Sequence, residues 1–137
     1  MSIRSAIMAV LIGDTTLMAT LTGGAYGEAE ISRQATPDAF DANGEVEPCA
    51  LLTVEADDPS GPFETSSRTF VTVYFYARSG YSAIDTALAR VYALLHRQRV
   101  SGENVWDIRH AGDVRDQRDP ALDCAMSMSR YTVYRRR

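Results

Sequence analysis

The side chains most able to do chemistry in this sequence are its two histidines, His96 and His110. A catalytic histidine needs a positioned partner within hydrogen-bond reach, and neither histidine stands in a motif that would supply one. The sequence also lacks the HExxH, CxxC, GxGxxG and GxxxxGK[ST] patterns of common metal, redox and nucleotide sites. We therefore expect no enzyme active site and no bound cofactor or metal.

Carboxylates are more numerous, and they fall into two groups that could hold a metal ion in principle. The first is Asp57 and Asp58 with nearby Glu55, and the second lies within residues 113–123. The second group lacks the turn-forming glycine and the terminal glutamate of a calcium-binding loop. Its acids also alternate with Arg115 and Arg118, and interleaved charges are typical of a solvated or partner-facing surface. The pattern favours a surface role over metal binding.

The sequence contains 14 basic residues, and all of them are arginines. A GC-rich coding sequence is the simplest explanation for this bias. Arginine binds carboxylates through two parallel hydrogen bonds and keeps its proton, so any contacts between copies of the chain should use Arg–carboxylate pairs. The predicted assembly residues are Arg78, Arg115, Arg118, Arg135, Arg136, Arg137, Asp57, Asp58, Glu64 and Asp113.

The densest basic cluster is the run 135–137 together with Arg130. Such a run is most often solvated, and in an oligomer it can meet an acidic neighbour or lie along a nucleic-acid path. The sequence does not distinguish among these three roles for the cluster. The net charge of −4 is not that of a dedicated nucleic-acid binder, which usually has a basic excess.

The bulk composition is that of one ordinary globular domain spanning residues 1–137. Hydrophobic residues make up 45% of the chain and charged residues 23%, and this length supports a real core. The apolar run 6–12 is too short to span a bilayer, so we expect a soluble, intracellular product with no membrane association. Cys49 and Cys124 are expected to be buried free thiols, although a disulfide stays open.

The segment 67–100 gives the clearest structural prediction. Residues 70–76 alternate as a strand that is apolar or aromatic on both faces, which indicates a strand covered on both sides or sealed in an assembly. Residues 78–81 break the pattern, and Ser82 is expected to cap a long helix. Its apolar stripe is Ile84, Ala87, Leu88, Val91, Tyr92, Leu94 and Leu95.

The remaining elements complete an α+β fold. We expect a helix over 2–12, a short second helix capped by Asp14, and a short strand over 25–31. A long polar segment, 32–48, includes one helical turn at 36–38 and is a candidate working loop. Strands follow over 49–56, 104–110 and 121–134, with a turn at 57–62 and a charged hairpin tip at 111–120. The predicted architecture is a mainly antiparallel sheet with one long helix packed on a face, plus short N-terminal helices.

The order of these elements resembles that of the tail-completion, or tail terminator, proteins of long-tailed bacteriophages and related tail-derived particles. The residues that carry the resemblance are the helix pair IRSAIMAVLIGDTTLMATL, which ends in TGGAY, and a connector containing prolines. The strand CALLTVEA, the strand–helix unit RTFVTVYFYARSGYSAIDTALARVYALL and a final strand pair with a Tyr/Arg-rich end follow. The similarity spans nearly the whole chain. This sequence departs from the family in its long polar insert and its long final strand pair.

The resemblance implies a structural virion protein rather than an enzyme. It implies a ring, commonly a hexamer of the same chain, in the neck at the head-proximal end of the tail, assembled in the host cytoplasm. Its partners would be the tail tube protein and the head–tail connector or stopper protein, with DNA passing through the lumen without specific binding. Two alternatives remain: another neck component, such as a stopper or adaptor, or a small α+β enzyme or ligand-binding domain with a pocket between helix and sheet.

Overall fold

A computed structural model describes residues 2–59, 66–78, 80–100 and 105–136. Two short helices open the chain, α1 (Ile3–Ile12) and α2 (Thr15–Thr20). Ser2 caps α1 by accepting a hydrogen bond from the backbone N–H of Ser5 at 3.1 Å. Asp14 caps α2 in the same way, accepting from the N–H of Leu17 at 2.8 Å. Both helices and the predicted Asp14 cap are therefore confirmed.

Five strands form one mixed sheet: β1 (Gly24–Tyr26), β2 (Cys49–Pro59), β3 (Ser66–Ala77), β4 (Val105–Asp119) and β5 (Cys124–Arg136). Their spatial order is β1-β2-β3-β5-β4, and only β1 lies parallel to its neighbour. A single 3-10 turn, Pro37–Ala39, forms where the sequence predicts a helical turn. The α+β class is confirmed.

The long helix is α3 (Ser82–Leu95), which follows β3 directly. Gly80 lies between them with a φ of +75°, a left-handed conformation that glycine adopts without strain. The predicted cap is off by one residue, because Tyr81 holds the N-cap position and makes no side-chain capping bond, while Ser82 is already helical. Asp85 still places a negative charge in the first turn.

Several strand boundaries differ from the prediction, including the start of the last strand, which lies at Cys124 and not at residue 121. The first strand is only the three residues of β1, and β2 runs on through Asp57 and Asp58 to Pro59. The predicted hairpin tip at 111–120 is instead the second half of β4, and the chain reverses at 120–123. The alternating charges of this edge strand hid it in the sequence, because its backbone partners come from β5 and it needs no apolar face there.

One face of the sheet is closed by helices. Leu88, Val91 and Leu95 of α3 share a buried cluster with Val71, Val73 and Phe75 of β3, which confirms the predicted packing. Helix α1 contributes Ile3, Ile7 and Leu11 to the same cluster. No helix in the described parts of the chain has both the length and the apolar composition needed to cross a membrane.

By the residues that the structure describes, the second face of the sheet is covered at one end only. The segment 27–48, which contains the predicted polar insert 32–48 and which we call the insert from here on, folds back over the start of β2, the end of β3 and the start of β5 and forms a smaller buried cluster. The buried members of that cluster are Ile31, Ala39, Val46, Cys49, Tyr76 and Cys124. Further along the strands, this face carries half-buried side chains such as Met128 and Tyr74.

Both cysteines lie in this second cluster as buried free thiols. Burial raises the pKa of Cys49 to about 12 and that of Cys124 to about 11, because the apolar surroundings disfavour the thiolate. The prediction of buried free thiols is confirmed.

Candidate assembly surface

Two of the predicted assembly arginines come together in one cleft, which we call the arginine cleft. Arg78 follows the end of β3 and Arg118 lies near the end of β4, so the sheet brings them to the same edge, where the insert adds Arg33. The cleft has a volume of about 640 Å³. Its other lining residues are Phe40, Gly44, Glu45, Val46, Ala121, Leu122, Asp123 and Cys124.

The guanidinium groups of the arginine cleft are each held by the protein. Arg78 forms an ion pair with Glu45 of the insert, and Arg118 pairs with Asp123 at 2.5 Å. Arg33 donates from Nε to the carbonyl of Gly44 at 2.7 Å and lies 5.4 Å from the centre of the Phe40 ring. The side chains of Arg78 and Arg118 remain 63% and 61% exposed. Their ion pairs therefore orient them without removing them from solvent.

A second cavity of about 410 Å³ adjoins the arginine cleft, and we call it the tyrosine cavity. Ala121 and Leu122, in the turn between β4 and β5, line both. Its walls are aromatic and apolar, and it carries carboxylates where the arginine cleft carries guanidinium groups. The lining residues are Glu30, Ile31, Leu51, Thr53, Tyr74, Tyr76, Asp119, Ala121 and Leu122. The arginine cleft therefore holds guanidinium groups together with two carboxylates, whereas the charged groups that line the tyrosine cavity are carboxylates.

The two histidines, which the sequence left without partners, meet in a separate cluster at β4. The backbone N–H of His110 donates to Nδ1 of His96 at 3.0 Å, and the Tyr92 ring contacts both imidazoles. His110 Nε2 lies 2.7 Å from Asp113 Oδ1. Only tertiary structure joins these groups, because the end of α3 and the middle of β4 are distant in sequence.

Asp113 is the centre of this cluster, so the geometry differs from a nucleophile–histidine–acid triad. Ser129 Oγ donates to Asp113 Oδ1 at 2.7 Å instead of bonding to His110, and Arg115 pairs with Asp113 Oδ2 at 3.2 Å. Partial burial raises the pKa of Asp113, but the hydrogen bonds from Ser129, His110 and Arg115 outweigh it, and the net pKa is lowered. The arrangement stabilises a carboxylate and activates no serine.

The remaining predicted residues whose side chains the structure describes do not join the arginine cleft. Arg115 and Asp113 pair within the chain beside the histidines, and Arg115 also approaches Asp85 at 3.8 Å. Arg135 and Arg136 lie at the opposite end of β5. Asp57 and Asp58 belong to strand β2, but their side chains are outside the described part of the structure. Glu64 and Arg137 lie outside the described residues altogether.

Sequence reasoning missed Arg33 and Glu45, which complete the arginine cleft, and Glu30, which lines the tyrosine cavity. The only available signal was the length and polarity of the insert. Residues 27–47 contain six acids and one arginine, so the insert is strongly acidic. Among the side chains that the structure describes, no group of three or more histidines, cysteines or acids is placed to hold a metal ion.

Comparison with known proteins gives a strong structural similarity. No protein-family model and no curated protein matches the sequence. The fold is similar to that of a chain in the solved virion of a native gene transfer agent particle, with a TM-score of 0.69. The alignment covers 99% of this chain and 96% of that one, at 12% sequence identity. The two chains therefore share a fold over nearly their whole lengths.

Proposed function

We propose that this protein is a structural component of a virion-like particle, and that within the particle it is the tail terminator. The observation that carries the proposal is the end-to-end structural similarity to a chain of a gene transfer agent virion. The order of elements in the sequence, which resembles tail terminator proteins, supports the more specific role. In this role, a ring of identical subunits, most simply a hexamer, closes the tail tube and contacts the head connector.

The described surface is consistent with assembly from repeated contacts. A closed ring built from one heterologous contact needs two complementary patches on each subunit. The half-covered face offers exposed arginines in the arginine cleft and carboxylates in the adjoining tyrosine cavity. Such charged contacts are individually weak, but they repeat around a ring, and their sum affects closure.

The alternative of a ligand pocket between helix and sheet has less support. The buried side of α3 packs directly into the main core through residues such as Leu88 and Val91. A further cavity of about 340 Å³ lies between α1 and the insert, and none of these three cavities, which are lined by described residues, is lined by α3. A stopper or adaptor role in the same neck remains the closest competitor.

Deletion of the gene, followed by electron microscopy of the particles, tests the proposal. A terminator caps the growing tube, so its loss should give tails of irregular length that are not joined to heads. Loss of a stopper or adaptor should instead leave tails of uniform length without heads. Complementation with the wild-type gene is the control. Normal tails joined to heads in the deletion strain would refute the proposal.

A further inference from the structure

We propose that the tyrosine cavity binds an arginine side chain, and that its occupant is Arg136 of a second copy of this chain. The inference rests on the proposed ring, because it identifies two complementary patches that such a ring would use. It concerns a site distinct from the arginine cleft.

The first observation is a tyrosine that is mostly buried but has an unpaired hydroxyl group at the cavity wall. Tyr76 lines the tyrosine cavity and is only 7% exposed, yet no described residue forms a hydrogen bond with its hydroxyl. Because Tyr76 lines the cavity, its hydroxyl can accept a hydrogen bond from a donor that enters. The pKa of Tyr76 is raised, mainly by burial and next by the negative charge of Asp119, which locates that carboxylate near the phenol.

The second observation is the distribution of acceptors around the cavity. Asp119 Oδ1 accepts hydrogen bonds from the N–H groups of Ala121 and Leu122, at 2.8 and 3.1 Å. Its Oδ2 forms no hydrogen bond to a described residue, and the exposed Glu30 forms no ion pair with one. The cavity therefore offers two carboxylates and a phenol as acceptors, with no described cation among its lining residues.

These groups fit a guanidinium ion better than an ammonium ion or a neutral ligand. A guanidinium is planar, carries five N–H donors, and can bind a carboxylate while it stacks on an aromatic ring. The rings of Tyr74 and Tyr76, with Leu51 and Leu122, provide apolar walls for the stem of such a side chain. An anionic ligand is disfavoured by the two carboxylates.

Several exposed arginines form no ion pair with a described residue, among them Arg97 and Arg99, and we assign Arg136 because it lies in the densest basic run of the chain, 135–137. It is exposed, and no described carboxylate forms an ion pair with it. It lies at the far end of β5, whose 13 residues span roughly 40 Å at about 3.3 Å per residue. The tyrosine cavity adjoins the start of the same strand, so Arg136 cannot reach the cavity of its own chain. The contact must therefore join two copies head to tail, as a closed ring requires.

The test measures self-association of the full chain by sedimentation velocity over a range of concentrations. Arg136→Gln and the double variant Glu30→Gln/Asp119→Asn should each weaken association at least tenfold. Asparagine keeps the Oδ1 acceptor that the turn needs, so the second variant should still fold. Arg97→Gln is the matched control, because Arg97 is exposed near the same end of the sheet and carries the same charge. Combining Arg136→Glu with Glu30→Arg should restore part of the association.

A second measurement probes the cavity without self-association. The Arg136→Gln variant is used because it should be monomeric. In NMR spectra of this variant, added ethylguanidinium should shift the ring resonances of Tyr74 and Tyr76, and ethylammonium should shift them much less. Tyr76→Phe should weaken binding of ethylguanidinium, because it removes the accepting hydroxyl. No shift with either probe would overturn the site.

Three results would overturn the second copy as occupant. The first is that the chain stays monomeric at all concentrations. The second is that Arg136→Gln leaves self-association unchanged. The third is that Glu30→Gln/Asp119→Asn weakens self-association while Arg136→Gln does not. If Arg136→Gln instead weakens binding to duplex DNA and leaves self-association unchanged, the arginine run contacts nucleic acid and the inference fails. None of these results bears on the deletion phenotype, so the proposed function and this inference can fail separately.

Discussion

The two faces of the sheet are built from the same strands but differ in how they are covered. The face under α1 and α3 is closed by aliphatic side chains, and Val73, Val91 and Phe75 have no solvent exposure. The opposite face is covered by the insert at one end only, and it carries both charged cavities described above. The first face supplies stability, and the second supplies surface that can contact another molecule.

This difference explains why β3 is apolar or aromatic on both sides. Val71, Val73 and Phe75 serve the closed face, whereas Tyr74 and Tyr76 serve the half-covered one. Tyrosine suits the half-covered face because its ring packs against apolar neighbours while its hydroxyl remains available for a polar contact. A strand that is apolar on one side and aromatic with hydroxyls on the other therefore separates folding from assembly.

The largest expected effect is on the closed face. Leu88→Ala should lower the free energy of unfolding by about 2–5 kcal/mol, because Leu88 is buried and its loss leaves a cavity. Met128→Ala, on the half-covered face, should cost only about 1 kcal/mol. Urea denaturation with a common m-value measures both. A Leu88→Ala cost below about 0.5 kcal/mol would show that α3 does not close this face.

A smaller effect is expected where α2 is tied to α3 at the border of the closed face. Arg90 binds Asp14 through two hydrogen bonds of 2.8 Å each. This contact lowers the pKa of Asp14 from 3.8 to about 2. Desolvation opposes the shift, and the hydrogen bond from the N–H of Leu17 adds to it. A carboxylate with a depressed pKa stabilises the fold fully above about pH 4, and this contribution is lost as the pH falls toward 2.

Asp14→Asn should therefore lower the thermal midpoint at neutral pH and flatten the loss of stability between pH 4 and pH 2. Thermal unfolding followed by circular dichroism across this range checks the prediction. Parallel pH profiles for the wild type and the variant would mean that the ion pair contributes nothing to the closed face.

The smallest effect on stability, with a clear effect on assembly, is expected on the half-covered face. Arg78→Glu with Arg118→Glu should weaken assembly and leave the thermal midpoint nearly unchanged, because both side chains are exposed. Arg97→Glu with Arg99→Glu makes the same charge change at exposed positions outside the arginine cleft. Light scattering after size exclusion should separate the two double variants. Equal assembly in both would show that the arginine cleft is merely solvated.

The local elements of this protein follow from its amino-acid sequence. The Asp14 cap, the break at 78–81, the strand–helix unit and the buried stripe of α3 follow from hydrogen bonds and periodicities within a few residues of one another. The α+β class and the closed face follow in turn, because an apolar helix stripe must pack against an apolar strand face.

The meeting points of the charged groups depend on the tertiary fold. Arg33, Arg78 and Arg118 come from the insert, the end of β3 and the end of β4, and their convergence depends on the strand order β1-β2-β3-β5-β4. The second half of β4 is a strand because β5 satisfies its backbone, although its charges predicted a hairpin tip. The charges of residues far apart in sequence carry no record of their spatial neighbours, whereas periodicity along one element does.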